Sequence, residues 1–574
     1  MIKLFRFLKQ YTAYIVVIIV LLFAQVLSNL YLPTLMADIV DKGLVNKNIN
    51  YIIKIGGFML LIAAGGTLCS IIAANLSSRT AVGFGKILRK NIFAKVESFS
   101  LHEFDKLGTA TLITRTTNDV TQVQQASIMI LSMMVTAPMT CVGGIIMVLK
   151  QDTSLAWVLV VAVPILFCII GITFIKGMPL FKVMQKKIDK LNLVLRENLT
   201  GIRVVRAFNR IDKEKARFDN ASVDLMDNAI KTNLIMATLM PVMTLIMSLT
   251  TVALVWFGAI RIESGAMQIG SLLAFIQYAT QILFSVLMLV MLFIMVPRAQ
   301  VSAVRINEVL ETGQDIIDPE KSKIASSKRG FVEFKDVSFR YPGADQPALS
   351  NITFSAKPGE TTAIIGGTGS GKSTLINLIA RFYDVESGIV LVDGVDVREM
   401  SQKSLRLKIG LVPQNTILFS GTIAENIRYG KEDATMEEIE HVVSVAQATE
   451  FVTEIEAGFD HHIAQGGTNV SGGQKQRLSI ARALIRKAEI YIFDDSFSAL
   501  DFKTDAKLRE ALKPEISDAT VFIIAQSVST VRNADRIIVL DDGKISGIGT
   551  HEELLKTCKV YCEIVASQLS KEEL

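Results

Sequence analysis

Six stretches in the first half of the chain are each apolar over about 20 residues or more, the length a helix needs to cross a bilayer. Their cores run over 14–36, 51–75, 127–149, 155–175, 234–260 and 269–296, with Lys54 interrupting the start of the second. Segments of this length and apolarity read as membrane-spanning helices. The first could be taken for a secretory leader. Its apolar run is too long, no small-x-small cleavage site follows it, and five further spans come after, so a retained helix is expected. Composition agrees: of 574 residues 50% are hydrophobic and 20% charged, which excludes a disordered chain, a collagen-like fibre and a disulfide-stapled secreted module, and fits a soluble enzyme poorly.

Lysine and arginine placement sets the orientation. Basic residues crowd the N-terminus (Lys3, Arg6, Lys9), the segment from Arg79 to Arg115 and the segment from Lys182 to Arg217. The short intervening turns carry little beyond Lys42, Lys47, Lys150 and Arg261. Both termini are therefore expected on the cytoplasmic side of the cell membrane. Stretches 79–98 and 182–197 lack proline and mix apolar with charged residues at helical spacing, so the spans should continue as helices into the cytoplasm. Each pair is joined by a short polar turn, one near 100–106 and one near 208–214. These are docking points for a cytoplasmic domain or, on periodicity alone, solvated hairpins. Segment 298–329, with Pro, Gly, Ser and mixed charges, reads as a linker between a membrane domain (1–297) and a cytoplasmic domain (330–574). The net charge of +5 is too small to argue for nucleic acid, and the basic residues suit a lipid surface. Five irregularly spaced cysteines suggest neither disulfides nor a metal site, since His551 adds too few ligands to Cys558 and Cys562.

The cytoplasmic half carries the chemistry. A short apolar strand, 363–365, runs straight into Gly366-Gly367-Thr368-Gly369-Ser370-Gly371-Lys372-Ser373-Thr374 and then an apolar helix. This is G-x-x-x-x-G-K-S in its required setting. Glycines let backbone N–H groups curl around phosphates, Lys372 reaches the β- and γ-phosphates, and Ser373 offers a hydroxyl to Mg2+. A second strand, 490–493, ends in Asp494-Asp495, where Asp494 would hold Mg2+. Between them, Ser471-Gly472-Gly473-Gln474 opens a helix, either as an anion-binding nest or as a plain glycine turn and cap.

Together these motifs make the chain resemble one half of an ATP-binding-cassette exporter: an all-α polytopic membrane domain of six transmembrane helices with long cytoplasmic extensions, then an α/β P-loop ATPase domain with a helical insertion. The resemblance covers nearly every residue. It implies ATP and Mg2+ as ligands, Tyr341 stacking on adenine, and Gln414, in Val412-Pro413-Gln414, contacting Mg2+. It makes Ser471 to Gln474 the signature that completes another chain's ATP site, and Ser498-Ala499-Leu500-Asp501 the loop joining the two sites. Phe104-Asp105 and Gly108 to Asp119 resemble the first coupling region, and 201–208 the helix entering the second.

Two departures from the family pattern are informative. Where most members place the glutamate that polarises the attacking water, this chain has Asp495. One methylene fewer withdraws the carboxylate by roughly 1.5 Å, and a misplacement near 1 Å can cost about a hundredfold in rate. Where most members have the switch histidine, this chain has Gln526, which hydrogen-bonds but carries no proton charge. A lesser departure is Ala464-Gln465-Gly466-Gly467, lacking the usual acid ahead of its glycine. The chain thus resembles the impaired-site subunit of a heterodimeric bacterial multidrug exporter. Its partner half-transporter is expected to carry the intact Glu and His, and its cargo to be a hydrophobic or amphipathic small molecule.

Other readings remain open at this level. An ATP-gated channel or regulator would expose a polar line along several spans, and only Gln25, Asn29, Gln277 and Gln281 are visible candidates. A lipid or peptide exporter of the same fold is a further alternative. Importers usually keep the ATPase on a separate chain, and six spans exclude a soluble ATPase. Met236, Met240, Met243 and Met247 recur on one face of the fifth span, either lining a cavity or packing. Asp38 and Asp41 sit at the outer end of the first span, where they either meet the partner half or face solvent. The histidines are read as structural or surface residues, with Thr550 and Glu553 forming a capping box around His551.

Overall fold

The computed structural model describes residues 1–323, 329–498 and 500–568, except for the side chains of Phe293, Ile294 and Phe502. Two units emerge: one comprises Met1–Lys95 and Ala110–Glu311, the other Val96–Thr109 and Thr312–Leu574.

Among the described residues of the chain, six helices are long and apolar enough to cross a membrane: Ile2–Leu44, Ile49–Glu97, Thr109–Gln151, Trp157–Thr200, Ile211–Glu263 and Ile269–Glu311. The shortest has 43 residues. At 1.5 Å per residue it is about 65 Å long, twice the hydrocarbon thickness, so the spans continue beyond the bilayer as their mixed composition predicts.

The first, third and sixth spans close a bundle around Leu30, Val148, Phe275, Tyr278 and Ile282. Tyr278 is fully buried there; its hydroxyl bonds the Leu30 carbonyl at 2.8 Å and the Thr34 hydroxyl at 2.7 Å, which satisfies its one polar atom in an apolar setting. The fourth span packs along the fifth through Leu166, Ile170, Met243 and Ile246, with Leu283 and Val286 of the sixth. The methionine stripe does not act as one face. Met243 is buried, Met247 packs against the same cluster and the Met236 methyl lies against Gly177 of the fourth span, while Met240 is exposed, so three of the four fill gaps between helices.

Asp38 and Asp41 are both engaged within the chain. The first span ends in a π-helical turn, Ile39–Leu44, and the two carboxylates take different partners. Asp38 pairs with Lys42 at 2.6 Å, and Asp41 accepts the Gly270 N–H at 2.6 Å, at the start of the sixth span.

The sixth span also corrects the expected linker. Residues 298–311 are helical, because Ala299, Ala303, Ile306 and Val309 recur at helical spacing and are buried to 1% exposure or less. Ser302 bonds Asp119 at 2.8 Å and Glu308 pairs with Arg115 at 2.8 Å, so charges that look like linker composition hold the sixth span to the third.

The segment expected as a polar turn near 100–106 is a helix. Leu101–Leu107 is opened by Ser100, and Glu103 gathers three donors: the Ser100 N–H at 2.7 Å, the Ser100 hydroxyl, and the Asp315 N–H at 2.5 Å. His102 adds a contact to the Asp315 carboxylate at 2.5 Å. Glu103 is almost fully buried. Burial alone would push its carboxyl up, but these hydrogen bonds together hold it below the usual carboxylate range. Glu103→Ala should therefore cost about 2 kcal/mol locally by orphaning these donors, and Glu103→Gln less. Hydrogen exchange of the Asp315 amide is the readout, and equal protection in wild type and Glu103→Ala would refute the clamp. The stretch expected to be the helix entering the second coupling region forms a short helix, Ile202–Ala207, between Gly201 and a turn at Phe208–Arg210.

Among the described residues the second unit has a short two-stranded pair, Gly421–Thr422 with His462–Ile463, and two large sheets. An antiparallel one joins strands Leu349–Ala356, Val332–Phe339, Ser387–Val392 and Val395–Asp396 in that order. The other has six strands, ordered Lys544–Gly549, Arg536–Asp541, Thr361–Gly366, Thr520–Ile524, Ile490–Asp494, Ile409–Val412; the last five are mutually parallel. Those five are buried nearly throughout, hence their continuous Val and Ile runs. Helices Met436–Val445, Thr449–Glu454 and Gly472–Leu484 form the expected insertion, and their Ile439, Val443, Val452, Leu478 and Ile480 share one buried cluster with Val412, Tyr491, Phe493 and Val521 of the sheet.

Candidate functional site

In a parallel sheet the carboxyl ends of the strands fall on one edge, and ligands bind there. Four neighbouring strands put the predicted residues on that edge. Thr361–Gly366 runs into the P-loop, Thr520–Ile524 leads to Gln526, Ile490–Asp494 ends in the acidic pair, and Ile409–Val412 leads to Gln414. Register tightens the convergence, since Ile524 pairs with both Ile364 and Asp494, and Val412 with Phe493.

The P-loop has the shape its glycines predict. Gly371 caps helix Lys372–Ile379 with φ of +96°, and a Cβ there would lie 2.8 Å from the Ala348 carbonyl oxygen and 2.7 Å from Leu349. A side chain would therefore be doubly excluded. Gly367, Thr368 and Gly369 are exposed, Ser370 is buried with its Oγ unpartnered, and Lys372 Nζ bonds the carbonyls of Gly366 at 2.9 Å and Gly367 at 2.7 Å. Burial lowers the Lys372 ammonium from its ordinary value, while Asp494 and Asp495 pull it back up. This cradle of exposed backbone with a partly desolvated cation suits polyphosphate.

Asp494 is buried at the strand end, 3.5 Å from the Ser373 hydroxyl. Burial raises its carboxyl above the ordinary range, an effect that Asp495 adds to and that Ser373 and Lys372 oppose. Ser373 and Asp494 bring oxygen donors together, and with the Gln414 amide oxygen they would suit Mg2+, which takes oxygen ligands.

Asp495 sits in the left-handed region at φ of +50°, a conformation that aspartate tolerates better than most residues. Its N–H bonds the Ile524 carbonyl at 2.9 Å, and its carbonyl accepts from Gln476 at 3.2 Å and Ser498 at 2.9 Å. Its Oδ2 accepts from two amides, Gln414 at 3.4 Å and Gln526 at 3.2 Å. The short carboxylate is thus held between two neutral donors.

Tyr341 packs edge-on against Phe339 and Tyr383, with ring centroids 5.0 and 5.3 Å away, and its hydroxyl meets Thr374 at 2.9 Å. That fixes an aromatic beside the first turn of the P-loop helix. The signature stands apart in bonding. Ser471 and Gln474 close a reciprocal capping box at 2.8 and 3.3 Å, Ser471 and Gly472 are exposed, and among the described residues no hydrogen bond links this box to the P-loop. Ala499, in the loop expected to join the two sites, lies outside the described residues; Asp501 caps the following helix. Sequence reasoning assigned nothing to Gln476 or Tyr383, because a glutamine within a helix and a tyrosine after one carry no motif of their own.

Comparison with known proteins is consistent along the whole chain. Residues 15–286 match the family described as ABC transporter transmembrane region, and residues 349–498 the family described as ABC transporter. An uncharacterized ABC transporter ATP-binding protein of Mycobacterium tuberculosis is 46% identical, over 98% of this chain and 97% of its own. A fatty acid ABC transporter ATP-binding/permease protein of Mycobacterium bovis is 34% identical over 83% and 75%, and an ATP-dependent lipid A-core flippase of Chromobacterium violaceum 30% over 94% and 92%. The solved structure of a bacterial Atm1-family ABC exporter with ATP bound superposes with a TM-score of 0.81 at 25% identity, covering 97% of this chain and 98% of that one.

Proposed function

The chain belongs to the ABC transporter family, with membrane and ATP-hydrolysing domains fused in one chain, and from that premise we propose that it is the impaired-site half of a heterodimeric exporter. In this reading it moves hydrophobic or amphipathic compounds outward across the cell membrane, with both termini in the cytoplasm. The observation that carries the proposal is the Asp495 carboxylate held by the amides of Gln414 and Gln526, with neither a longer acid nor an imidazole at those positions.

ATP is the substrate. Tyr341 stacks on its adenine, the N–H groups of 367–373 and Lys372 hold its phosphates, and Ser373, Gln414 and Asp494 hold Mg2+, which when bound neutralises phosphate charge. Asp495 and Gln526 handicap only the chemical step, so this site keeps nucleotide and turns it over slowly. Ser471 to Gln474 present an exposed helix start to the partner's site, where Ser471 and the amides of Gly472 and Gly473 stabilise phosphate charge. Exposed apolar residues on the helix extensions and the second coupling segment, including Phe93, Leu199, Val204, Phe208 and Phe218, support a second half: outside lipid they need protein cover. A homodimer would hold two impaired sites, which favours a different partner. Relatives named for fatty acids and for lipid A-core favour lipid-like cargo over drugs in particular.

Asp495→Ala should leave the complex's total ATP turnover within about a factor of two. A hundredfold loss would make Asp495 the working base and sink the impaired-site reading.

A further inference from the structure

The switch segment is held from behind by the C-terminal helix. Ala525, Val528 and Val531 share one buried cluster with Leu554, Cys558, Tyr561 and Val565. Helix Lys559–Gln568 is itself anchored by Tyr561, fully buried, whose hydroxyl meets His551 Nδ1 at 2.7 Å. At the end of that helix the Gln568 amide spans the switch backbone. Its Oε1 accepts the Val528 N–H at 2.8 Å, and its Nε2 donates to the Gln526 carbonyl at 2.8 Å. The Gln526 side chain, in turn, donates to Asp495 at 3.2 Å.

Two backbone groups two residues apart, each bonded to one planar amide, leave the intervening chain little freedom to rotate. An exposed side chain such as Gln526 otherwise samples many rotamers, and ordering it costs entropy that a fixed backbone reduces. Gln is the residue this task needs: it offers one donor and one acceptor in a fixed plane. Glu offers no donor at neutral pH, and Met has the length but neither group.

We propose that Gln568 is a positioning residue for the ATP site, acting through the switch backbone to aim Gln526 at Asp495 and at the nucleotide's terminal phosphate. The C-terminal helix thereby belongs to the working parts of this site. The inference rests on Gln526 facing bound nucleotide, as set out under the proposed function.

The test measures how long radiolabelled ATP with Mg2+ stays bound at the Lys372 site of the full-length complex, together with its affinity at equilibrium under low occupancy. Gln568→Ala and Gln568→Met should both speed release about tenfold, and the double variant Gln526→Ala/Gln568→Ala should release no faster than Gln526→Ala alone. That non-additivity separates positioning from general loosening, for which the two effects would add. Wild-type retention in Gln568→Met would show that packing rather than hydrogen bonding matters, and additive effects would show a structural role; either overturns the proposal. If Gln526→Ala shortens retention and Gln568→Ala does not, the positioning role alone fails. If Gln526→Ala has no effect, the switch assignment fails and takes this inference with it.

Discussion

Ser471→Arg should abolish ATP hydrolysis and transport by the complex, lowering both at least a hundredfold, while nucleotide bound against Lys372 survives. Ser471 is exposed and begins helix Gly472–Leu484, so a long cation there fits the folded chain, costing only the cap it forms with Gln474, about 1 kcal/mol. The damage falls instead on whatever approaches that helix start. If this is the partner's γ-phosphate, guanidinium bulk occupies the space that transfer requires and the serine–glycine nest is lost. The Lys372 site takes its signature from the other chain and is untouched. Turnover within a factor of about two, roughly 0.4 kcal/mol in barrier height, would show that this chain is not the signature donor.

Asp495→Glu combined with Gln526→His, placed in the Ser471→Arg background, should raise the residual hydrolysis about a hundredfold. In that background the partner's site is blocked and the Lys372 site supplies the remaining activity. The longer acid recovers roughly the 1.5 Å of reach, a misplacement of the size that costs about two orders of magnitude. The imidazole restores a group able to carry charge beside the phosphate. A small penalty is expected because position 495 has φ of +50°, which aspartate accepts more readily than glutamate. Unchanged activity would mean that something other than these two side chains limits the site.

Much of this is legible in the sequence, and the reason differs by region. Spans announce themselves because lipid forbids polar backbone, so a run such as 14–36 has one available structure. The P-loop is legible because Gly371 faces both a positive φ and the Ala348 carbonyl, leaving one residue type. Composition misled where tertiary packing reassigns charge: 298–311 looks like a linker until Ser302 and Glu308 meet Asp119 and Arg115 of the third span. The first coupling helix was missed for a related reason, since Glu103 caps Ser100 but also reaches Asp315, more than 200 positions away. Residue spacing does not place Asp41, because the Gly270 N–H it accepts lies 229 positions away. Gln568 lies beyond every motif, and only the fold brings it to the switch.

The central claim is that this chain works beside a different half that owns the competent ATP site. Native mass measurement of the intact complex, extracted from its own membrane without overexpression, tests it most directly. The account predicts one copy of this 63.0 kDa chain with a second chain of different mass, whose sequence carries Glu after its Mg2+ aspartate and His at its switch. Two copies of the 63.0 kDa chain, active in ATP hydrolysis, would contradict it.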